Sequence, residues 1–423
     1  MDPRSPISDL RSPLPNPPAI PRGVADYFGA AAVARRRAEA SLRELGRRWA
    51  YVEVIPPTFE YAETLASEAG AQLAEELYRF IDRDGSALAL RPDLTIPTAR
   101  LAGSKLFDQP LPLRFFYSGP AFRYEEPRAG RQREFWQAGI ELIGAGSADA
   151  DAEVLAFAVQ GLAALELPEF SFTLGHLGYF HGLIEHLQLP PTAVQTLHSA
   201  LDRKSRDDLA AFVADLHLPD GDRAAVLGLL DLAGPQGAGV LGRALALTRN
   251  STMTAAIDRL RSVESRLEHY GVKTHFAVDL ADVRGMDYYT GITFKAYTPQ
   301  IGFAVVNGGR YDNLIGHFGP AQPAVGCAFY LDRILLARTR QAGPPAEPAP
   351  DLLVYPCACG DYVRLAAEAR AAGLVVALAL GPEPENFAPR AVRCTCDGFL
   401  RIEDGAGDMQ PVARANWLAG WRT

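Results

Sequence analysis

Hydrophobic positions along the chain change their spacing several times, and each change marks a different kind of element. Apolar residues recur at helical spacing from Ala34 to Trp49 and predict an amphipathic helix of about five turns. The next segment, YVEVIPP at 51–57, predicts a strand that stops at two prolines. Residues 77–94, LYRFIDRDGSALALRPDL, place two apolar runs around a DRDG turn and predict a β-hairpin.

Further strands and helices follow in an order typical of an α+β protein. The segments 114–127 and 133–144 predict a second antiparallel pair, joined by a charged loop. Leucine- and alanine-rich helices are expected from 185 to 275. Alternating apolar residues then resume, and a helix that begins near Leu331 closes this part of the chain.

These patterns divide the chain into a tail, a discontinuous core, a helical insertion and a small C-terminal α/β domain. Seven prolines up to Pro21, without an apolar run, predict a flexible tail and not a signal peptide. The segment QAGPPAEPAP predicts a linker ahead of a βαβ-type pattern. The predicted bounds are 1–20 for the tail, 21–184 and 276–340 for the core, 185–275 for the insertion, 341–350 for the linker and 351–423 for the C-terminal domain.

The composition is that of a globular protein, with 423 residues, 48% hydrophobic and 22% charged. The formal net charge of −8 argues against broad nonspecific binding to nucleic acid. No apolar stretch reaches the length that crosses a bilayer, so we expect no membrane partner and a cytoplasmic location.

Four of the five cysteines form two C-x-C pairs, and the fifth, Cys327, lies in an apolar run. Cys357, Cys359, Cys394 and Cys396 carry enough thiolates for tetrahedral zinc. The spacing differs from the usual C-x-x-C, and neighbouring strand ends produce the same pattern by chance. We therefore expect no metal and keep zinc as the weaker alternative, and we expect no disulfides in a reducing cytosol.

The two common glycine-rich motifs that bind phosphate groups do not occur here in the context that they require. No G-x-G-x-x-G opens a helix after a predicted parallel strand, and no G-x-x-x-x-G-K-[ST] occurs. A phosphate ligand would depend on arginines such as Arg123, which lies beside apolar strand residues. Gln137 and Glu141 are four apart in one predicted strand and therefore share a face. Such a face is either a binding surface, which we favour, or the solvated side of an antiparallel sheet.

Two further polar clusters interrupt the apolar patterns. Asp93 and Thr95 suit either a helix N-cap or a binding loop, and by themselves they favour the N-cap. The stretch DVRGMDYYTGITF offers Arg284, which would balance a carboxylate or phosphate, or pair with an aspartate in a turn. If this stretch is extended, Tyr288 and Tyr289 point to opposite faces, and at most one of them lines a given pocket.

Read together and in order, these segments resemble one family. RPDLT, FRYE followed by GRQREF, VRGMDYYTG, GGRYDNL and a final Gly-to-Arg segment match landmarks of histidyl-tRNA synthetase-like proteins, from Pro21 to the linker. The resemblance implies an α+β fold with the antiparallel core sheet of class II aminoacyl-tRNA synthetases, of about six or seven strands. Pro57 matches the motif 1 proline at the dimer interface of that superfamily, so we expect a homodimer.

Roles for the candidate residues follow from this resemblance. Arg123 matches the motif 2 arginine that grips the α-phosphate of ATP, and Arg333 matches the motif 3 arginine that helps to hold ATP. The residues that match a pocket for histidine are Asp93, Thr95, Gln137, Glu141, Arg284 and Tyr289. The resemblance thus implies a residual histidine pocket, and an inhibitory histidine site lies either here or on a partner.

Several departures separate this chain from the synthetases of the family. The loop that usually reads R-P-E-G-T reads R-P-D-L-T, so the acid at Asp93 is shorter and the glycine is missing. Tyr330 stands where a motif 3 glycine leaves room for ATP, so a phenol clashes with the nucleotide or fills its space. Glu126 and Arg128 replace the usual Arg and Gln of a loop that meets RNA, which an added carboxylate does not favour. The C-terminal domain is also shorter than the roughly 100 residues of a full anticodon-binding domain.

These departures are similar to the paralogous regulatory subunits of ATP phosphoribosyltransferase. That similarity implies a non-catalytic subunit that assembles with a short catalytic subunit at the first step of histidine biosynthesis, and takes part in feedback control by histidine. No cofactor and no tRNA partner are expected. An active histidyl-tRNA synthetase and a synthetase-like RNA-binding or scaffold protein are the alternatives.

Overall fold

The structure is a computed structural model that describes residues 19–126, 131–235, 238–283, 288–381, 390–397, 399–404, 409–413 and 417. These residues form two compact units. The first unit contains residues 19–27 and 34–344, and the second contains residues 28–33 and those from 345 onwards. The boundary between 344 and 345 falls inside the segment predicted as a linker.

The described residues form short strands and mostly amphipathic helices. The strands are β1 Val52–Glu53, β2 Phe59–Tyr61, β3 Arg79–Ile81, β4 Ala87–Leu90, β5 Leu113–Phe122, β6 Glu134–Ile143, β7 Ser171–His176, β8 Ala233–Pro235, β9 Phe276–Asp279, β10 Ile292–Tyr297, β11 Val306–Arg310, β12 Ala324–Tyr330, β13 Leu352–Tyr355, β14 Val376–Leu378, β15 Arg390–Cys394, β16 Phe399–Asp404 and β17 Met409–Ala413. The α-helices are α1 Gly29–Arg48, α2 Ala62–Glu75, α3 Thr95–Lys105, α4 Ala148–Ala164, α5 Leu177–Leu187, α6 Pro191–Asp202, α7 Arg206–Leu216, α8 Asp220–Gly228, α9 Val240–Ala246, α10 Ser251–His269, α11 Leu331–Ala342 and α12 Tyr362–Ala371. None of the described helices is both long enough and apolar enough to cross a membrane.

The first unit is built on a nine-stranded sheet with the order β1-β5-β6-β12-β11-β10-β7-β9-β8. Its central strands, from β5 to β7, are antiparallel as expected, and the predicted β5–β6 pair is confirmed. The edges make the sheet mixed, because β1 pairs in parallel with β5, and β9 with β7. The sheet is larger than expected because β1, β9 and β8 extend it, and β8 comes from the segment predicted as purely helical. The predicted β3–β4 hairpin forms in a separate three-stranded sheet with β2.

The helices predicted from apolar spacing bury the expected faces. Helix α1 buries Leu42 and Leu45 in the main core, and α10 buries Ile257 and Leu260 there. Gly271 follows the end of α10 with a φ of +70°, a left-handed conformation that favours glycine. Apolar spacing therefore located these helices correctly, since burying one stripe is what stabilises an amphipathic helix in a globular protein.

Strand β6 separates the apolar core of the sheet from a polar face. Ala138, Ile140 and Leu142 pack in the main core, whereas Gln137 and Glu141 alternate with them on the opposite face. Strand β12 continues this alternation, because Gly326, Ala328 and Tyr330 lie directly opposite Glu141, Gly139 and Gln137. The register of these two strands thus gathers polar side chains on one side of the sheet.

A buried ion cluster joins the helices to this sheet. Asp151, in α4, accepts hydrogen bonds at Oδ1 from Arg310 Nε at 2.9 Å and Arg310 Nη2 at 2.6 Å. Its Oδ2 accepts from Arg259 Nε of α10 at 2.6 Å. Because the carboxylate has no exposed surface, its burial depends on both guanidinium groups.

The second unit contains a five-stranded sheet with the order β14-β13-β15-β16-β17. Strand β13 runs parallel to both β14 and β15, and α12 connects β13 to β14, which is the predicted βαβ arrangement. Its core includes Leu352, Val354, Leu365 and Val392. This core is small, so the unit has few apolar contacts from which to draw stability.

Candidate functional site

A small, partly enclosed pocket lies on the polar face of the main sheet. Its lining residues are Asp93, Thr95, Gln137, Glu141, Tyr288, Tyr289, Asn307, Tyr311, Gly326, Cys327, Ala328 and Tyr330. Five of the six residues expected in a histidine pocket are therefore brought together from separate parts of the chain. The sixth, Arg284, lies outside the described residues, as does Arg128 of the motif 2 loop.

Regular elements position most of these side chains. Strand β6 supplies Gln137 and Glu141, and β12 supplies Tyr330 at its last residue. Thr95 is the first residue of α3, and Asp93 precedes it by two positions. The pocket therefore lies where the amino end of a helix meets the polar face of the sheet.

The Glu141 carboxylate is almost fully buried and is held by tyrosine hydroxyls. Tyr117 donates to Oε1 at 3.1 Å, and Tyr311 donates to Oε2. Gly326 faces it across the strand pair, and a Cβ at that position would overlap the carboxylate. Burial raises the pKa of Glu141 to about 8, although hydrogen bonds from Tyr311, Thr95 and Tyr117 act to lower it. Glu141 therefore changes charge close to neutral pH.

Asp93 is the second buried acid of the pocket. Its Oδ1 accepts the backbone N–H of Ile96 at 3.0 Å, so it also has the capping role expected near the start of α3. Its Oδ2 is buried and accepts no hydrogen bond of normal geometry from the described residues, although the Tyr288 hydroxyl lies close enough to oppose the rise that burial causes in the pKa of the carboxyl. Burial raises the pKa of Asp93, and the nearby positive charge of Arg123 opposes that shift. The unpaired oxygen is a site where a ligand donor would be stabilising.

Amide side chains add further acceptors. Gln137 Oε1 and Asn307 Oδ1 are buried, and neither has a partner in the described part of the chain. Asn307 Nδ2 donates to the Tyr330 hydroxyl at 3.3 Å. Since buried polar atoms are almost always paired, these acceptors and Asp93 Oδ2 favour a ligand rich in N–H donors.

The expectation that at most one of Tyr288 and Tyr289 lines a pocket is wrong, because both border this one. Their ring centroids are 5.1 Å apart and the ring planes meet at 71°. Both residues precede β10, which begins at Ile292, so the alternation of an extended strand does not apply to them. The sequence did not predict Asn307 and Tyr311 as pocket residues, although Tyr311 lies in the motif GGRYDNL and Asn307 directly precedes it.

The two arginines that match ATP-binding positions each donate to a backbone carbonyl of the chain, and Nη2 of Arg123 is buried without a hydrogen-bond partner among the described residues. Arg123 is buried, and its Nε donates to the Pro92 carbonyl at 2.8 Å. Arg333 Nη1 donates to the Ala304 carbonyl at 2.7 Å. The guanidinium of Arg333 also lies over the ring of Tyr330, 4.1 Å from its centroid.

Tyr330 occupies the space beside the motif 3 arginine. Its side chain is 2% exposed, and its ring centroid lies 5.7 Å from that of Phe135. Burial lowers the pKa of Arg333. A phenol ring is thus packed at the position where the synthetase pattern has a glycine.

Outside this pocket, the four cysteines of the two C-x-C segments lie close together in the second unit.

Glu141→Gln tests the buried acid through the pH dependence of stability. The pKa of Glu141 is about 8 in the folded state, above its ordinary value of 4.5, so the folded state binds this proton more tightly than the unfolded state does. Protonation of Glu141 therefore stabilises the folded state at low pH, and this stabilisation is lost as the pH rises through the pKa of the folded state. Between about pH 6 and about pH 8, wild type should lose about 2 kcal/mol of unfolding free energy relative to Glu141→Gln.

Urea denaturation of both proteins across this pH range measures the difference. Glu166→Gln is the matched control, because the Glu166 side chain is 70% exposed, and it should keep the wild-type pH dependence. Parallel stability curves for wild type and Glu141→Gln would show that Glu141 does not titrate in this range.

Comparison with known proteins agrees with this geometry. A family model described as histidyl-tRNA synthetase matches residues 23–334. An ATP phosphoribosyltransferase regulatory subunit from Desulforamulus reducens is 42% identical over 333 residues, which cover 78% of this chain and 82% of that protein. One from Moorella thermoacetica is 42% identical over 364 residues, covering 86% of this chain and 92% of that protein.

A solved structure is also similar over most of its length. It comes from Bacillus halodurans and is described as an ATP phosphoribosyltransferase regulatory subunit/histidyl-tRNA synthetase. It superposes with a TM-score of 0.80 at 28% identity and covers 89% of this chain and 98% of that one. The topology of the core sheet, the order of the motifs along the chain and the similarity to these relatives all indicate the same family. This chain belongs to the histidyl-tRNA synthetase-like family of ATP phosphoribosyltransferase regulatory subunits.

Proposed function

We propose that this chain is a non-catalytic regulatory subunit, which acts with a short catalytic subunit of ATP phosphoribosyltransferase at the first step of histidine biosynthesis. The observation that carries the proposal is the buried ring of Tyr330 against the Arg333 guanidinium. The regulatory-subunit relatives at 42% identity support the same conclusion.

The contacts of Tyr330 argue against adenylation of an amino acid by this chain. ATP held as in a synthetase would need the space of the Tyr330 ring and an Arg333 side chain directed at the nucleotide. Instead the guanidinium stacks on that ring and donates to the Ala304 carbonyl. Arg123 is likewise directed to a backbone carbonyl. Moving these groups would break packing and hydrogen bonds, which costs free energy that nucleotide binding would have to supply.

Reconstitution with a short catalytic subunit tests the regulatory role. We expect phosphoribosyl-ATP formation to rise at least about fivefold when this chain is added, which is within the usual range of coupling between sites. The catalytic subunit alone is the control for the increase. This chain alone should show no histidine-dependent ATP–pyrophosphate exchange above a blank. Such exchange would instead establish the synthetase alternative.

The pocket supports histidine as the regulatory ligand. Histidine carries an ammonium group and an imidazole ring whose N–H groups are hydrogen-bond donors. Asp93 Oδ2 offers a carboxylate oxygen to the ammonium group, and Gln137 Oε1 and Asn307 Oδ1 offer acceptors to N–H donors. A cation beside the two buried acids would also favour their ionised forms. Histidine binding would thus pair groups that are unpaired in the pocket alone.

Asp93→Asn tests this pocket by calorimetric titration with histidine. Removing the charge while keeping the shape should weaken binding about 10- to 100-fold, the usual effect of losing a hydrogen bond to a charged group. Asp108→Asn changes the same side chain at an exposed position and should leave the affinity unchanged. An unaltered affinity in Asp93→Asn, or no binding to the wild-type chain or its complex, would remove histidine from this pocket.

Exposed apolar side chains near Pro57 support a homodimer as the core of the assembly. Val52, Ile55, Phe59 and Ile81 are all exposed, and Ile55 is 86% exposed. The Phe59 ring lies 5.8 Å from that of Phe80, which extends the apolar surface to β3. Several large apolar side chains exposed close together along the chain are typical of a protein interface. We assign it to a second copy of this chain.

Ile55→Asp should convert the dimer into a monomer, because the charge would be buried at the interface. Light scattering coupled to size exclusion measures the mass, and circular dichroism checks that the variant is folded. Val363→Asp places the same charge on an exposed apolar position of α12 and should remain dimeric. A monomeric wild type, or a folded Ile55→Asp dimer at the same concentration, would contradict the assignment.

A further inference from the structure

The topology of the second unit brings its two C-x-C segments to the same end of two neighbouring strands. Strands β13 and β15 are parallel neighbours, with Tyr355 opposite Arg393. Cys357 and Cys359 follow the carboxyl end of β13, and Cys394 and Cys396 lie at the carboxyl end of β15. Adjacent parallel strands end on the same side, so these two segments are neighbours.

The four sulfurs converge more closely than strand adjacency requires. All four Sγ atoms lie within 4.8 Å of one another. The Cys357–Cys359 separation is 3.2 Å and the Cys359–Cys394 separation is 3.5 Å. A tetrahedral zinc with Zn–S bonds of about 2.3 Å has sulfurs about 3.8 Å apart, whereas bonded disulfide sulfurs are about 2.0 Å apart. The four thiols are free, and their separations lie on both sides of the zinc value and well beyond the length of a disulfide bond.

Hydrophobic burial does not account for this convergence. Cys359 and Cys396 are exposed, and Cys357 and Cys394 are only partly buried. A thiol that serves only as a small apolar core residue would be expected inside, as Cys327 is. The cluster therefore needs an explanation other than core packing.

One backbone N–H reaches a sulfur of the cluster, while burial and the neighbouring thiols raise the pKa of the Cys394 thiol. The backbone N–H of Cys396 donates to Cys394 Sγ at 3.4 Å, and such donors stabilise a thiolate ligand. Cys396 adopts a φ of +63°, so the chain turns sharply between the two sulfurs of this pair.

We propose that Cys357, Cys359, Cys394 and Cys396 bind one Zn²⁺ ion as thiolates in a tetrahedral site. Four thiol protons pass to the solvent when the ion binds. Four protein sulfurs leave no coordination position for a substrate, so the site is structural. It joins the β13–α12 connection to the β15–β16 turn. This assignment differs from the expectation of no metal, because C-x-C spacing alone did not show that the sulfurs converge.

Metal analysis of the full chain, expressed with zinc in the medium and purified with a reductant, tests the proposal. Wild type should contain about one zinc per chain. Cys394→Ser/Cys396→Ser should contain less than about one tenth of that amount, because two ligands are lost. Cys327→Ala removes the cysteine outside the cluster and should keep the wild-type zinc content.

A second measurement applies even if the double variant does not fold. In wild type, a mercurial reagent that titrates thiols should release the zinc in step with four of the five thiols. Cobalt added to the metal-free chain should give the absorption of tetrahedral thiolate coordination. Zinc-free wild type with titratable thiols or disulfides, zinc retained by the double variant, or iron in place of zinc would each overturn the proposal.

Discussion

Burial of the Glu141 carboxylate in the main sheet is the constraint on which the pocket depends. Hydroxyls of Tyr117 and Tyr311 donate to its two oxygens, and Gly326 across the strand pair leaves space for it. A buried carboxylate without donors costs several kcal/mol, so these groups have to stay together. A slip of one residue between β6 and β12 would move Glu141 into the apolar core. The hydrogen bonds to Glu141 thus favour the observed register of β6 and β12 and keep the polar residues on the pocket side of the sheet.

The larger side chain at position 330 is one of the departures that separate this chain from the synthetases of the family. With a glycine at 330, the frame of the family has room for ATP beside the bound amino acid. Here the Tyr330 ring fills that room and stacks under Arg333, while Asp93 and other polar residues line the adjacent pocket. In the function that we propose, this chain binds histidine, and its catalytic partner subunit carries out the phosphoribosyl transfer. Binding then influences the partner only through a difference in affinity between conformations.

The two units draw their stability from different sources. The first buries a large apolar core, and Asp151 links α4, α10 and β11 through two guanidinium groups. The second has a small core around Leu352 and Leu365, and a domain of this size commonly relies on a metal or disulfides for additional stability. A zinc site at the carboxyl ends of β13 and β15 would supply such stabilisation in a unit whose apolar core is small.

The sequence by itself determined the helices α1 and α10, the β3–β4 and β5–β6 pairs and the shared face of Gln137 and Glu141. Each of these follows from a period of 3.6 or 2, which is a local property of the chain. Tertiary structure alone decided that Asp93 meets that strand face, that both Tyr288 and Tyr289 border the pocket, and that four cysteine sulfurs converge. These features depend on pairing between distant segments and on backbone outside regular strands. Local periodicity carries no information about either, because many pairings bury the same apolar faces.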